Sequence, residues 1–358
     1  MRIAIVGAGF AGLIAARELS KVSHVVIYEE HEEVGVPEHC TGIVSERVVE
    51  EIGESAKRNV EGYLEEFKVG LPSGKGITLK GPKRFTAKLN RVGLEKDLLE
   101  EILSEGVEFR NEMVLNVSKD ARVNDEAYDR AIIAEGWRAE LSKRLGIAHK
   151  ARIVYGINFE VKGKTAHPGS VEIWFDKALA PGFFAWVVML EDKAVVGTAS
   201  EPRKANVREL AKKVKEIAEK RDLIKGGVTK EYGGVILTGP PALSPCTTKV
   251  CSFGDAAGLN KPLTGGGLYP NTVIAKRFPD TFPNLRKAYY PLVERLRLET
   301  ILARIAHKAP QRFYEKFFEN MNGMEIRINE YDNHLRTLRE MGIGNLLRLL
   351  GVTLRSLF

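Results

Sequence analysis

The residues best placed for chemistry lie at the start of the chain, in a glycine-rich turn that is followed by an acid. The turn has the pattern Gly-x-Gly-x-x-Gly over 7–12, and Glu29 follows 22 residues after Gly7. Such glycines allow a tight turn, a close approach of the backbone to a pyrophosphate, and close packing of a helix on a strand. The acid can accept hydrogen bonds from ribose hydroxyls. The spacing predicts a dinucleotide site formed by Gly7, Gly9, Phe10, Ala11, Gly12, Glu29 and Glu30.

The elements around this motif occur in the order that a dinucleotide site requires. An apolar, β-branched run over 2–6 predicts a buried parallel strand, a helical pattern covers 13–19, and a second strand over 24–28 ends on Glu29. The helix N-terminus offers free N–H groups and a positive dipole end to an anion. A glycine-rich turn in an ordinary α/β protein is the alternative. The strand before the motif, the helix after it and the acid favour dinucleotide binding.

The composition indicates a folded globular protein with a mildly basic surface. The 358 residues carry a net charge of +7, with the two signs interleaved, and no basic tract with interleaved aromatic residues occurs. A nucleic acid is therefore a poor candidate for a partner. Three cysteines are too few for a disulfide framework or a zinc site, so no metal is expected. With no apolar run of transmembrane length and no expected signal peptide, we expect a cytoplasmic protein. A single glutamine among many Lys, Arg and Glu residues is typical of a thermophile.

A second glycine-rich turn lies late in the chain, after another predicted strand. Residues 254–258 are Gly-Asp-Ala-Ala-Gly, and Pro262 precedes glycines at 265–267 and a predicted helix. This segment resembles the flavin motif of the FAD-dependent p-hydroxybenzoate hydroxylase superfamily. The resemblance implies FAD as the cofactor, with the helix N-terminus holding the negative charge of the reduced ring at its pyrimidine edge. The further flavin contacts that it implies are Arg91, Gly136, Asp255, Gly265, Gly266, Gly267 and Leu268.

The predicted elements and this resemblance together imply an α/β (α+β) fold. Alternating apolar and polar residues from 152 to 198 predict antiparallel strands between the α/β segments. We therefore expect a discontinuous, Rossmann-like FAD-binding domain with an inserted antiparallel β-sheet substrate domain and a helical C-terminal section. The expected boundaries are 1–67, 87–150 and 245–285 for the first, 68–86 and 151–244 for the second, and 286–358 for the third.

Within the superfamily the chain most resembles the geranylgeranyl reductase family, which saturates isoprenoid double bonds of archaeal membrane lipids and of chlorophyll and tocopherol precursors. Residues 181–188, Pro-Gly-Phe-Phe-Ala-Trp-Val-Val, are similar to the family's Pro-x-x-Tyr-x-Trp-x-Phe-Pro stretch, with Phe184 in place of the tyrosine. The resemblance implies that Phe184 and Trp186 line the substrate cavity, and that Cys40 lies in a loop beside the isoalloxazine. Core packing of the two aromatic residues and an inert cysteine are the alternatives.

The implied reaction is reduction of an isoprenoid lipid. Reduced flavin N5 would give a hydride to one alkene carbon, and Cys40 or a water molecule would give a proton to the other. Cation–π contact with Phe184 and Trp186 would stabilise the developing positive charge. The electron donor stays open among NAD(P)H, ferredoxin and others, and a flavin-dependent aromatic hydroxylase that uses NAD(P)H and oxygen is the alternative function. The apolar segment 345–358 is consistent with contact to the inner membrane face, with closure of an apolar cavity, or with a packed terminal helix.

Overall fold

The computed structural model describes residues 1–340 of the protein. Its strands are β1 (Arg2–Val6), β2 (His24–Glu29), β3 (Ile43–Ser45), β4 (Val60–Leu64), β5 (Glu66–Gly70), β6 (Gly76–Lys80), β7 (Thr86–Leu89), β8 (Glu108–Asn111), β9 (Arg122–Val123), β10 (Glu126–Ala127), β11 (Arg130–Ile133), β12 (Ile153–Thr165), β13 (Ser170–Trp174), β14 (Ala185–Met189), β15 (Lys193–Ser200), β16 (Ile224–Leu237), β17 (Val250–Ser252) and β18 (Met324–Arg327). Its α-helices are α1 (Phe10–Ser20), α2 (Glu46–Ile52), α3 (Glu54–Arg58), α4 (Arg91–Ser104), α5 (Glu140–Leu145), α6 (Val207–Lys220), α7 (Leu268–Ala275), α8 (Phe278–Thr281), α9 (Leu292–Lys308), α10 (Gln311–Asn320) and α11 (His334–Glu340). No helix within this range is both long and apolar enough to cross a bilayer.

A five-stranded parallel sheet carries the first glycine-rich turn. Its strand order is β17-β11-β1-β2-β8, and the neighbouring pairs are all parallel. The short β-branched runs form its central strands because both faces are covered, which removes the need for polar alternation. Ile5, Leu13, Leu98 and Ile274 are fully buried in one apolar cluster where α1, α4 and α7 pack on the sheet. The predicted Rossmann-like arrangement is confirmed.

An eight-stranded, mostly antiparallel sheet forms the second layer. Its order is β16-β12-β15-β14-β13-β5-β6-β18, so the chain segments 66–80 and 153–237 meet in one sheet. The long strands β12 and β16 pair over almost their whole length, with one register shift between Glu160 and Val161. The predicted antiparallel sheet is confirmed, and β5 and β6 form a hairpin within it.

The C-terminal section, which was predicted to be helical, also contains one strand. Strand β18 pairs in parallel with β6 at the edge of the large sheet. Met324 and Ile326 are buried whereas Glu325 and Arg327 are exposed, which is the period-two pattern of a half-buried strand. Four residues are too short a run to stand out against the flanking helical pattern, so the strand is visible only where β6 is available for pairing.

One disulfide joins Cys246 to Cys251, which lie five residues apart. This bond was not predicted from the sequence, although a single bridge is not a disulfide framework. Cys40 is the one free cysteine of the three in the chain, and it is half-buried.

Candidate functional site

The first glycine-rich turn has the geometry of a phosphate cradle. Gly7 has a φ of +99°, and a Cβ there would lie 2.4 Å from the carbonyl oxygen of Ala134. A Cβ on Gly12 would lie 1.8 Å from the Gly7 oxygen, whereas one on Gly9 would meet nothing within 4 Å. Helix α1 begins directly after Gly9 without a side-chain cap, so N–H groups of its first turn have no side-chain acceptor. The open side of the turn thus offers N–H groups of the kind that bind an anion.

Glu29 lies at the carboxyl end of β2, next to this turn. Its carboxylate accepts a hydrogen bond from the Ala8 N–H at 2.7 Å and is 2.6 Å from Nδ1 of His31. These contacts hold the acid beside the glycine backbone, where ribose hydroxyls would reach it. Glu29 and Glu30 both line a cavity next to the turn.

The second turn lines the same cavity beside the first turn and carries polar atoms that have no hydrogen-bond partner among residues 1–340. Asn260 donates to the Asp255 carboxylate at 2.8 Å, and Asn271 donates to the Gly267 oxygen at 2.7 Å. The remaining oxygens of both amides are buried without a hydrogen bond to any residue in 1–340, as is Thr264 Oγ1. Helix α7 also starts without a side-chain cap. Unpaired buried polar atoms are rare in native proteins, so this donor and acceptor set fits a bound polar group such as FAD.

The cavity has a volume of about 710 Å³ and extends from the two turns to the large sheet. There it is bounded by an aromatic wall formed by Phe183, Phe184 and Trp186. It brings the sequence-predicted site residues together, with one exception. Gly12 does not line it but packs beneath the turn, against the Gly7 oxygen. The predicted residues that line it are Gly7, Gly9, Phe10, Ala11, Glu29, Glu30, Cys40, Arg91, Gly136, Phe184, Trp186, Asp255, Gly265, Gly266, Gly267 and Leu268.

Arg91 joins the first turn to α4. Asn90 caps this helix by accepting from the Gly93 N–H at 3.0 Å, which places Arg91 at the first helical position. The guanidinium stacks over the Phe10 ring at 5.4 Å and pairs with Glu95 one turn later. Its buried Nε has no hydrogen-bond partner among the residues the structure describes, so it offers one donor to the cavity.

A buried ion pair lies beside the second turn and was missed by the sequence analysis. Lys261 Nζ is 2.8 Å from Asp332 Oδ1 and 4.1 Å from the ring centre of Tyr331, and the Lys261 and Asp332 side chains are each 2% exposed. Burial opposes the charge of Lys261, but the neighbouring Asp332 carboxylate raises the pKa of the ammonium above its ordinary value. No sequence signal links residues 71 positions apart.

The Glu135 carboxylate caps the N-terminus of a helix. Its carboxylate accepts from the N–H groups of Leu141 and Ser142 at 2.8 and 2.7 Å, and so caps helix α5. Gly136, directly after it, lies at the cavity wall with a φ of +80°. Glu135 also lines the cavity, but both of its carboxylate oxygens accept hydrogen bonds from this helix end.

The aromatic wall contacts a polar pair formed by the half-buried Arg152 and the buried His307. Phe183, which the sequence analysis did not single out, stacks on Phe184 with 4.1 Å between ring centres. Arg152 donates to the Gly182 oxygen at 2.8 Å and to His307 Nδ1 at 3.1 Å. His307 in turn packs 4.9 Å from the Phe183 ring and donates from Nε2 to the Leu263 oxygen at 2.9 Å, because a carbonyl can only accept. Helix α9 is thereby joined to both the aromatic wall and the second turn.

Comparison with known proteins defines the class. The family described as NAD(P)-binding Rossmann-like domain matches residues 5–44, the segment of the first turn. The fold is similar to that of p-nitrophenol 4-monooxygenase from Pseudomonas putida (TM-score 0.63, 15% identity, 99% of this chain and 96% of that chain) and to a flavin-dependent halogenase from Xanthomonas campestris (TM-score 0.67, 12% identity, 99% and 94%). These likenesses show the fold, and the two glycine-rich turns that line one cavity fit FAD as a cofactor.

The nearer relatives are more specific. The chain is 29% identical over 299 residues to digeranylgeranylglycerophospholipid reductase 1 of Methanopyrus kandleri, covering 76% of this chain and 77% of that protein. It is 24% identical over 306 residues to the corresponding reductase of Methanocaldococcus jannaschii, covering 75% and 73%. A geranylgeranyl bacteriochlorophyll reductase-like protein from Thermoplasma acidophilum shares its fold with a TM-score of 0.81 and 19% identity over 98% of both chains. The predicted resemblance to the geranylgeranyl reductase family is therefore confirmed.

Proposed function

We propose that this protein is an FAD-dependent reductase that saturates C=C bonds of an isoprenoid lipid. The observation that carries the proposal is one continuous cavity whose two parts differ in chemistry. One part is lined by the two glycine-rich turns and unpaired polar atoms, and the other by apolar side chains. The apolar lining is formed by Ile43, Phe67, Val171, Ile173, Phe183, Phe184, Trp186 and Ile236. The curated relatives named as digeranylgeranylglycerophospholipid reductases supply the substrate class.

In this proposal the first turn and Glu29 hold the adenosine diphosphate part of FAD, while Arg91 and Asp255 contact its middle. The backbone at 265–268 holds the pyrimidine edge, and bound reduced FAD supplies the hydride. The chain itself has three tasks at the alkene: to bind the apolar substrate, to exclude water and to deliver a proton. An isolated alkene accepts hydride poorly unless protonation assists it, so positive charge develops on one carbon.

The aromatic wall matches that requirement. Phe184 and Trp186 lie at an edge-to-face angle of 72° with 6.0 Å between ring centres, so their π systems present different directions to the cavity. Contact of a cationic centre with such rings is worth about 2 kcal/mol when it is desolvated, or roughly thirtyfold in rate. Cys40 lines the same cavity as a free thiol and is our candidate for the proton donor.

Contact with the inner face of the cytoplasmic membrane is part of the proposal, because the substrate is a membrane lipid. The C-terminal segment 345–358 lies outside the described residues, whereas α9 carries an exposed apolar surface within them. Its exposed apolar residues are Leu298 (58% exposed), Ile301 (58%), Leu302 (41%) and Ile305 (63%). The basic residues next to this stripe, none of which forms an ion pair within 1–340, are Arg297, Arg304, Lys308 and Arg312. An apolar stripe flanked by unpaired cations fits an anionic lipid surface.

The deciding experiment is an anaerobic turnover with chemically reduced enzyme and a geranylgeranyl lipid, read by mass spectrometry. We expect products that are heavier by two hydrogens for each double bond reduced. A requirement for oxygen together with a gain of one oxygen atom would instead identify the hydroxylase and refute the reductase.

A matched pair of variants tests the role of the wall. Trp186→Phe should lower kcat because it changes the π surface at the cavity. Trp174→Phe is the control, since Trp174 is fully buried in the cluster on the opposite face of the sheet. Equal losses in the two variants would show that only the stability of the sheet was affected.

A further inference from the structure

The buried side chain of Asn158 joins two parts of the cavity wall that come from distant parts of the chain. Its Oδ1 accepts a hydrogen bond from the Trp186 indole Nε1 at 2.9 Å and another from Thr41 Oγ1 at 3.0 Å. Asn158 is 3% exposed, and both Asn158 and Thr41 line the cavity. Because the indole N–H can only donate, it determines which end of the amide is the oxygen.

The sheet makes room for this arrangement at one position. Asn158, Gly197 and Trp186 are directly opposite one another on the adjacent strands β12, β15 and β14, and therefore share one face of the sheet. A Cβ on Gly197 would lie 2.4 Å from Cε2 of the indole and 2.5 Å from its Nε1. The absence of a side chain in the middle strand thus lets the indole lie across the sheet and reach Asn158.

The two hydrogen bonds have different consequences for the cavity. The bond from Trp186 holds the indole plane at the aromatic wall. The bond from Thr41 anchors the loop that contains Cys40, the adjacent residue. Asn158 Nδ2 makes no hydrogen bond to any residue in 1–340, so the second end of the amide remains a donor at the cavity. Through its single oxygen atom, Asn158 therefore holds the loop of the proposed proton donor, Cys40, next to the proposed charge-stabilising ring of Trp186.

We propose that Asn158 is a positioning residue that holds the Trp186 indole and the Cys40 loop in one fixed arrangement. It acts through these two neighbours and does not itself contact the reacting atoms. The inference deepens the proposed function and rests on it only for its effect on turnover. The arrangement itself is a property of the chain, so it is measured without a substrate.

Four variants separate the two hydrogen bonds. Asn158→Leu removes the acceptor for both, whereas Asn158→Asp keeps an acceptor oxygen, removes the amide donor and places a carboxyl group at the same position. Thr41→Val removes the loop bond alone, and Trp186→Phe removes the indole bond alone. The readouts are the alkylation rate of Cys40 by iodoacetamide and the ¹⁵N–¹H resonance of the Trp186 indole, which Trp186→Phe assigns among the three tryptophans. With the Cys246–Cys251 bond intact, alkylation reports Cys40 alone.

We expect Asn158→Leu to raise the alkylation rate by about fivefold, the effect of one lost hydrogen bond, and to shift the indole proton upfield. Thr41→Val should raise alkylation to a similar extent and leave the indole resonance in place. Asn158→Asp should retain the wild-type alkylation rate and, because a carboxylate is a stronger acceptor than an amide, shift the indole proton downfield rather than upfield. If Asn158→Leu does not fold, Thr41→Val still tests the loop anchor.

The outcomes that overturn the proposal are specific. An unchanged alkylation rate in Thr41→Val, or an indole resonance that does not move in a folded Asn158→Leu, would show that the amide does not hold these groups. For turnover, we expect Asn158→Leu to lower kcat with little change in KM, since the apolar lining that binds the substrate is retained. If the thiol and indole readouts of the variants change as expected but the wild type reduces no lipid, the proposed function is refuted and the positioning role stands.

Discussion

The buried His307 makes the stability of this protein depend on pH in the acidic range. Burial and the neighbouring Arg152 guanidinium lower its pKa from 6.5 to about 4, against a smaller opposite effect of the hydrogen bond to the Leu263 carbonyl. The side chain is 1% exposed and donates from Nε2 while Nδ1 accepts from Arg152, so the neutral ring satisfies both contacts. Protonation would place a second donor against the guanidinium.

The sign follows from proton binding in the two states. Between pH 6.5 and about 4, the unfolded chain binds a proton at His307 that the folded protein excludes. The free energy of unfolding therefore falls as the pH is lowered through this window, and His307 contributes no pH dependence above it. A shift of 2.5 units, from 6.5 to about 4, corresponds to about 3 kcal/mol at the acidic end.

The measurement compares urea unfolding of the wild type and of His307→Gln from pH 4 to pH 7.5. Glutamine can donate to Leu263 and accept from Arg152 but does not titrate, and the carboxylates common to both proteins cancel in the difference. As the pH falls from 7 to 4, we expect the free energy of unfolding of the wild type to decrease by about 3 kcal/mol relative to that of His307→Gln. A difference that stays constant across this range would refute the reasoning, as would an NMR titration of His307 with a midpoint near 6.5.

Three further changes test other parts of the structure. Glu29→Ala should purify with about tenfold less FAD, because it removes the proposed acceptor of the ribose hydroxyls, and unchanged FAD absorbance would refute that contact. Lys261→Met should cost about 3–5 kcal/mol in urea unfolding by leaving the Asp332 carboxylate buried without its partner, and addition of Asp332→Asn should recover part of the loss. The double change Ile301→Ser and Ile305→Ser should lower binding to anionic vesicles about tenfold in a flotation assay, whereas equal binding with the fold intact would exclude the α9 stripe as a membrane contact.

The dinucleotide motif is the part of the site that the sequence alone determines. Strand β1, its glycine-rich turn, helix α1, strand β2 and Glu29 are consecutive, so their mutual positions follow from local periodicity and turn chemistry within thirty residues. The structure confirms each of these elements, and the late turn at 254–268 is local in the same sense. The predicted contacts of individual residues with FAD remain predictions, although the cavity brings nearly all of those residues together.

The rest of the site was decided by the tertiary structure. Trp186 meets Asn158 because the register of the large sheet aligns β12, β15 and β14. Thr41 reaches Asn158, and Lys261 reaches Asp332, only because loops outside that sheet pack together in the folded chain. The same holds for β18, which becomes a strand where β6 offers an open edge. Periodicity reports which face of an element is buried, but it carries no information about which distant element will cover that face. Long-range hydrogen bonds and ion pairs depend on that choice, and only the folded chain makes it.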